Sequence, residues 1–233
     1  MLQRARELVA SPSGANASAQ STPYSYGGLC AALWRDAPTL QHESMQLGEL
    51  ANRHQLSLFR GYAFAYAGSA ALLQSQHGEA VVQLEQALAI FASSRTRLAT
   101  AYFTSGLALA LAGSDRVDAA RRQIQRAIME CEETGGRWCE AELWRVRGEL
   151  FLIGDQADFD EAARSFERAL ALARAQGARL WELRAALSLA RLLRGRGEQA
   201  RGHDVLAAAY EPFSTDRVNA DSKEAWTLLG QMA

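Results

Sequence analysis

The chain has 233 residues, of which 48% are hydrophobic, and a formal net charge of −1. A chain of this length forms either two compact domains or one elongated repeat array, and it can bury a continuous core. The near-zero charge disfavours binding to nucleic acid or to anionic membranes through a general basic field. Ala and Leu dominate while Val, Ile and Thr are sparse, which predicts an all-α fold.

The N-terminal part of the chain combines a short amphipathic segment with a stretch of loop composition. The segment LQRARELVA has the pattern of the second helix of a hairpin whose first helix is missing. Residues 11–23 are rich in Ser, Ala, Gly, Asn, Gln and Pro, so we predict a loop or mobile linker there. The prolines all lie outside the periodic arms, which we therefore expect to be uninterrupted helices. They are Pro12, Pro23, Pro38 and Pro212.

From Tyr24 onward, pairs of helical arms separated by short turns repeat along the chain. The second arms carry Ala87, Ala127 and Ala169 at a step of about 40 residues, which is typical of a solenoid of helical hairpins. We predict one all-α repeat domain over residues 1–233, a right-handed superhelix of about five hairpins with a capping helix. The hairpins are expected at residues 24–57, 58–94, 95–135, 136–177 and 178–213, and the capping helix at 219–233.

Glycines and acidic residues fall at positions that suit helix contacts and helix ends. Gly68, Gly106 and Gly148 lie midway along first arms, where a small residue lets a neighbouring helix approach closely. Asp158 and Asp221, each followed by a glutamate three residues later, predict capping boxes. Five glycines follow arms where a left-handed residue is expected to end the helix: Gly113, Gly135, Gly154, Gly177 and Gly195.

The hairpin that contains Gly148 and the stripe Ala162, Phe166 and Ala169 resembles the tetratricopeptide repeat (TPR). The runs AELWRVRGELFL, ARSFERALALARAQGARLWELRAALSLARLLRGRG and LAAAYEPFSTDRVNADSKEAWTLL are similar to the C-terminal repeat region of bacterial signalling ATPases. Those proteins join a STAND-type NTPase to an adenylate cyclase or to a DNA-binding transcriptional-regulator domain. The resemblance is strongest over residues 130–229, and it implies a regulatory, partner-binding or ligand-sensing tail.

No catalytic or metal site is indicated. Neither the phosphate loop GxxxxGK[ST] nor the metal-binding carboxylates of a cyclase domain occur, so we predict a non-enzyme without a cofactor. The cysteines lack zinc-site spacing and predict reduced, mostly buried thiols in a cytoplasmic protein, with a Cys131–Cys139 disulfide as the alternative; the third is Cys30. No apolar run is long enough to span a membrane. The histidines lack metal-ligand spacing: His42, His54, His77 and His203.

Stacked hairpins would line a concave groove with their first arms. The charged residues of this groove are expected to be solvent-exposed on one concave face, where arginines can anchor an acidic peptide or a small anionic effector. Projection from the mid-arm small residues places eleven residues in the groove: Tyr62, Ala65, Ser69, Phe103, Leu107, Glu142, Arg145, Glu149, Arg184, Leu187 and Arg191.

Three functions remain open at this point. The first is a protein-interaction or regulatory sensor module that binds a protein, a peptide or an upstream NTPase or cyclase domain. The second is a small-molecule effector-binding domain that uses the groove, and the third is part of a DNA-binding transcriptional regulator. A peptide partner predicts a long open groove, whereas an effector predicts a closed pocket of a few hundred Å³.

Overall fold

The structure is a computed structural model that describes residues 16–97, 99–155, 157–214 and 219–232. These residues form eleven α-helices and two short 3-10 turns, with no strand among them, so the all-α prediction is confirmed. The helices are α1 (Ala17–Trp34), α2 (Ala37–Arg53), α3 (Ser57–Leu73), α4 (His77–Ser93), α5 (Thr100–Ala112), α6 (Val117–Thr134), α7 (Glu140–Phe151), α8 (Phe159–Ala175), α9 (Arg179–Gly195), α10 (Gln199–Tyr210) and α11 (Ala220–Met232). We call α1, α3, α5, α7, α9 and α11 first-arm helices and the others second-arm helices.

The chain divides into two compact units, residues 1–110 and residues 111–233, whereas the sequence predicts a single domain. A helix in a repeat array packs mainly on its neighbours, so such a chain has no single central core. In the first unit α1 packs on α2, α2 on α3 and α3 on α4, and α1 also contacts α3. In the second unit each helix from α6 to α11 packs on the next, and α9 additionally contacts α7 and α11.

The first described helix begins earlier than the sequence suggests. Asn16 caps α1, because its side-chain oxygen accepts a hydrogen bond of 2.9 Å from the backbone N–H of Ala19. The predicted loop is therefore wrong for residues 17–23, and Pro23 lies inside the helix. Serine-rich composition misled the prediction, because these hydroxyls bond helix carbonyls instead: Ser21 Oγ donates to the Ala17 carbonyl over 2.9 Å. The amphipathic segment LQRARELVA lies outside the described residues.

Residues in the left-handed conformation mark the ends of helices. Gly135, Gly154 and Gly177 have positive φ as predicted. At the other two predicted helix ends, Gly113 and Gly195, the left-handed residue lies two positions later, at Asp115 and Gly197. In the first unit the left-handed residues have side chains: Arg35, Gln55, Ser75 and Arg95. Arg35, Ser75 and Asp115 follow one another at steps of 40 residues, and so do Gln55, Arg95 and Gly135, which sets the register of the repeat.

Gly148 lies at a close helix contact, as the sequence predicts. A Cβ atom at this position would clash with the ring of Phe166 on the partner helix α8. Gly68 has the same environment in the first unit, where a Cβ would lie 2.7 Å from Leu84 Cγ. Gly106 does not, because the nearest atom would be 3.6 Å away, which is ordinary contact.

Candidate functional site

The groove residues predicted in the first unit lie mostly in its interior. Tyr62, Ala65, Phe103 and Leu107 are buried, and Ser69 is half-buried with its hydroxyl donating to the Ala65 carbonyl. The Phe91 ring lies 4.9 Å from the Tyr62 ring and 6.0 Å from the Phe103 ring, so these residues form an aromatic cluster. They hold helices together, because mid-arm side chains point between successive first-arm helices rather than into solvent.

In the second unit the structure brings the predicted charges together around Arg145 of α7. The Arg145 guanidinium donates two hydrogen bonds of 2.8 Å to the Glu142 carboxylate, and its Nη1 donates to Glu149 Oε1 over 3.0 Å. Burial alone would lower the pKa of Arg145, but the charge and hydrogen bonds of Glu142, together with Glu149, raise that pKa above its usual value. Arg145 is thus a permanently charged centre held by two acids.

The same charges connect three first-arm helices. Ser188 Oγ of α9 donates to Glu149 Oε1 of α7 over 2.6 Å. Arg184 Nε of α9 donates to Asp221 Oδ2 of α11 over 2.7 Å, and Arg184 Nη1 lies 4.0 Å from Glu142 Oε1. Further along, Arg191 of α9 pairs with Glu224 of α11. We call the seven charged residues the charged ladder: Glu142, Arg145, Glu149, Arg184, Arg191, Asp221 and Glu224.

Exposure rises from one end of the ladder to the other. The side chains of Arg184 and Glu142 are 6% and 7% exposed and that of Asp221 is 0%, against 41% for Arg191 and 40% for Glu224. The expectation that the groove charges are all solvent-exposed is therefore wrong for Glu142 and Arg184. The physical reason is that α7 and α11 both pack against α9, so that residues 181–190, including Leu187, are all buried.

Sequence reasoning missed three residues of this face, namely Ser188, Asp221 and Glu224. Asp221 was expected to cap α11, but Asn219 does so, because its Oδ1 accepts a hydrogen bond of 2.8 Å from Ser222 N. Asp158, by contrast, caps α8 as predicted, over 2.8 Å to Glu161 N. The sequence did contain a signal for the contact between α7 and α9. Glu142 and Arg184 have opposite charges and lie one repeat apart, which is compatible with an ion pair between neighbouring first-arm helices.

A surface depression in the second unit involves none of the predicted groove residues. It is open to solvent, encloses about 620 Å³ and is lined by Ala157, Asp158, Phe159, Asp160 and Arg196. Arg196 Nη1 donates to Asp160 Oδ1 over 2.7 Å across it. Its open form differs from the closed pocket expected for a small effector.

Other chemical features of the described residues are simpler. Cys131 and Cys139 are free thiols, so the alternative of a disulfide between them is not what the structure shows. Within the described ranges, no group of three or more His, Cys, Asp and Glu side chains could hold a metal ion. None of the helices described above is long and apolar enough to cross a membrane.

Comparison with known proteins places this arrangement among known folds. No protein-family model and no curated protein matches the chain. Solved structures of a Podosopora anserina putative kinesin light chain with nearly identical TPR-like repeats do match it. One, a variant, has 16% identity and a TM-score of 0.55 over 84% of this chain and 96% of that chain. A second has 17% identity and a TM-score of 0.53 over 84% and 98%.

The fold is a TPR-like α-solenoid. At this level of identity the likeness concerns the fold alone. The charged ladder lies on three first-arm helices of this TPR-like chain, α7, α9 and α11.

Proposed function

We propose that this TPR-like chain is a non-catalytic protein-interaction module and that its second unit binds a partner through the exposed end of the charged ladder. The observation that carries the proposal is the gradient of exposure along the ladder. Glu149, Arg191 and Glu224 are 29%, 41% and 40% exposed, and they alternate in sign across three helices. Alternating charges on a fixed face can select a partner by complementary charge.

The buried members of the ladder support this surface. Arg145 and Arg184 are each hydrogen-bonded to carboxylates, and Ser188 joins α9 to Glu149. These contacts fix the spacing of the helices before a partner arrives, which lowers the conformational entropy lost on binding. A partner can break the exposed ion pair between Arg191 and Glu224 with little loss of free energy, because exposed ion pairs contribute only about 0 to 1 kcal/mol.

A small anionic effector is a weaker candidate for the same face. An anion that bound Arg145 or Arg184 would have to displace Glu142 or Asp221, and both of these acids are buried. Displacement would leave a buried carboxylate without its partner, which is strongly unfavourable. A protein or peptide that contacts the exposed residues leaves those buried pairs intact.

The finer context of the module follows from the sequence. The resemblance to the C-terminal repeats of bacterial signalling ATPases covers residues 130–229, which include the whole ladder. We therefore propose a cytoplasmic regulatory role, either as the repeat region of a signal-transduction ATPase or cyclase or as a stand-alone relative. Its partner would then be an NTPase or cyclase domain or another protein of the same pathway, and a link to a DNA-binding regulator would run through such a partner.

The test compares two triple variants that change the net charge equally. The ladder variant carries Glu149→Gln, Arg191→Gln and Glu224→Gln. The control carries Arg126→Gln, Glu130→Gln and Glu133→Gln, three exposed residues of the second-arm helix α6. Each protein is immobilised, incubated with cytosolic extract of the source organism at matched salt, and the bound proteins are quantified by mass spectrometry.

We expect the wild type and the control to retain the same specific partner and the ladder variant to lose it. Equal capture by all three proteins would contradict the proposal. Glu142 keeps both of its hydrogen bonds to Arg145, and glutamine at position 149 retains an acceptor for Ser188 and Arg145, so the melting midpoints of the three proteins should lie close together. A partner that depends on the control positions instead would place the binding surface on the second-arm helices.

A further inference from the structure

Two buried cysteines of the second unit flank the turn between α6 and α7. Cys131 lies in the last turn of α6, and Cys139 is the residue immediately before α7. Cys131 is 3% exposed and Cys139 is 0% exposed, whereas all seven residues between them, 132–138, are exposed. The two thiols therefore lie beneath a short surface turn.

The two thiols are also partners of each other. The side chain of Cys139 forms a hydrogen bond with the side chain of Cys131. Cys131 Sγ in turn donates to the Gly136 carbonyl of the turn over 3.4 Å. The two sulfur atoms are therefore neighbours, which is the arrangement that disulfide formation requires.

The hydrogen bond gives the two sulfur atoms different chemistry. The hydrogen bond from Cys139 lowers the pKa of Cys131, although burial and three nearby glutamates act in the opposite direction. The glutamates are Glu130, Glu132 and Glu140. The same hydrogen bond, together with burial, raises the pKa of Cys139. Because the thiolate is the reactive form of cysteine, Cys131 is the attacking group and Cys139 stays a thiol.

The turn above the thiols is attached to the next hairpin by its backbone. Gln176 Nε2 donates to the Arg137 carbonyl over 3.1 Å, and Trp181 Nε1 of α9 donates to the Trp138 carbonyl over 3.1 Å. Exposed turns open locally at a lower free-energy cost than the packed helices around them. A small reagent can therefore reach Cys131 through opening of this turn while the helices stay folded.

We propose that Cys131 and Cys139 form a redox-modification site, at which a small hydroperoxide such as hydrogen peroxide converts the two thiols into an intramolecular disulfide. The structure shows the reduced form of this site. A nucleophilic cysteine beside a second cysteine that can react with its oxidised form is the arrangement of redox-sensing sites. The site does not depend on the proposed binding role of the charged ladder.

The reaction has two steps. In the first, the Cys131 thiolate attacks one oxygen of hydrogen peroxide, the O–O bond breaks, and Cys131 becomes a sulfenic acid. The hydroxide that leaves takes up the proton that Cys131 lost and becomes water. In the second step, the sulfur of Cys139 attacks the sulfur of Cys131 and the S–O bond breaks. The hydroxyl group leaves with the thiol proton of Cys139 as a second water, so the two sulfur atoms are oxidised and the peroxide is reduced.

The first experiment treats the full chain with hydrogen peroxide under native conditions and maps its tryptic peptides without reduction. Trypsin cleaves after Arg126, Arg137 and Arg145, so Cys131 and Cys139 fall in separate peptides that only a disulfide joins. The exposed Cys30 of the first unit serves as the internal reference for a single thiol.

We expect the peptides of Cys131 and Cys139 to become linked in chains that run as monomers on a non-reducing gel. Dithiothreitol should separate them again. Oxidation of Cys30 without this link would overturn the proposal, and so would conversion of Cys131 to a sulfinic acid in place of the link.

A second experiment tests the order of the two steps with a matched pair of variants, Cys139→Ser and Cys131→Ser. Each variant is treated with hydrogen peroxide in the presence of dimedone, which alkylates sulfenic acids. Cys139→Ser should accumulate the dimedone adduct at Cys131, because the second thiol is missing. Cys131→Ser should give at least about tenfold less adduct at Cys139, which stays protonated.

The adduct at Cys30 should be the same in both variants, which provides the control for the amount of oxidant. Equal adduct at Cys131 and Cys139 in the two variants, or more at Cys139, would contradict the assigned order of reaction. No adduct at Cys131 in Cys139→Ser, at a peroxide concentration that modifies Cys30, would reject the site.

Discussion

The two compact units join their first-arm helices with different chemistry. In the first unit Tyr102 Oη of α5 donates to the Ala32 carbonyl of α1 over 3.0 Å, and the Tyr66 hydroxyl of α3 donates to the Ser25 carbonyl. In the second unit the corresponding contacts are ion pairs of Arg184. Tyr62, Tyr102, Glu142 and Arg184 occupy one position of the repeat, since they follow at steps of 40, 40 and 42 residues.

At the repeat position shared by Tyr102 and Arg184, the hairpin fold therefore tolerates either a tyrosine hydrogen bond or an ion pair. Tyr66 and Tyr102 bury apolar ring surface, and their hydroxyls donate to backbone carbonyls of α1. The ion pairs bury charge, which is favourable only while every partner is present. The first unit should therefore respond to conditions that ionise tyrosine, and the second to the loss of a single charged group.

The largest expected effect is the loss of Asp221, the 0% exposed partner of Arg184. Asp221→Ala leaves the guanidinium buried, with Glu142 4.0 Å away as the remaining acid of the ladder. Removal of one partner of a buried pair destabilises a protein by about 3 to 5 kcal/mol. Hydrogen–deuterium exchange should show this loss in α9, while exchange in α3 of the first unit stays unchanged.

A double variant serves as the control for that measurement. Arg184→Met with Asp221→Leu removes both charges and keeps apolar volume, so it should recover most of the lost stability. If Asp221→Ala leaves exchange in α9 unchanged, the ladder contributes no stability and the contrast between the units fails.

The next effect concerns alkaline pH and the first unit. Burial raises the pKa of Tyr66 above its usual value of about 10, so ionisation is easier in the unfolded chain than in the folded one. The neutral form is the one that the fold stabilises. Its contribution is fully present below about pH 10 and is lost as the pH rises further, by about 1.4 kcal/mol per pH unit.

Exchange measured in α3 between pH 9 and pH 11 should accelerate beyond the intrinsic base catalysis. Tyr66→Phe should remove this extra pH dependence, whereas Tyr26→Phe, at an exposed tyrosine, should retain it. A pH response in α3 that is the same in Tyr66→Phe and wild type would contradict the assignment.

The helical arms were predictable because they depend on local spacing. Apolar and small residues three and four apart define the buried side of each arm without knowledge of its neighbours. Gly148 was predictable for a similar reason, since its position midway along an arm indicates a close contact, and the ring of Phe166 is what it meets. The burial of Glu142 and Arg184 was not predictable in the same way. It depends on the distance between neighbouring first-arm helices, which periodicity within one helix does not report.

The start of α1 and the role of Asp221 were not predicted, because the same composition and the same residue spacing are compatible with more than one structure. Serine, threonine and asparagine favour loops, but they also cap helices and bond helix carbonyls, as Asn16 and Ser21 do here. An acidic residue in the first turn of a helix is compatible with capping, but Asp221 instead meets Arg184 from another hairpin, a contact between residues 37 apart in sequence.

The smallest expected effect concerns the turns, where the units differ again. Ser75 ends α3 and Gly177 ends α8 with nearly the same backbone, at φ of 59° and 63°. Both turns close with a similar hydrogen bond, from Gln76 N to the Ala71 carbonyl and from Ala178 N to the Ala173 carbonyl, each of 2.9 Å.

Because the conformation is shared, substitutions at the two positions should act in opposite directions. Gly177→Ala places a Cβ where no atom lies within 4 Å, so its cost is the left-handed backbone alone, about 1 to 2 kcal/mol. Ser75→Gly removes that cost, but it increases the entropy of the unfolded chain by about 0.4 to 1 kcal/mol, so a small net gain is expected. Urea unfolding of both variants measures the difference. A loss of stability in Ser75→Gly as large as in Gly177→Ala would show that the Ser75 side chain contributes a contact of its own, and that side chains at the left-handed positions of the first unit are not a cost to folding.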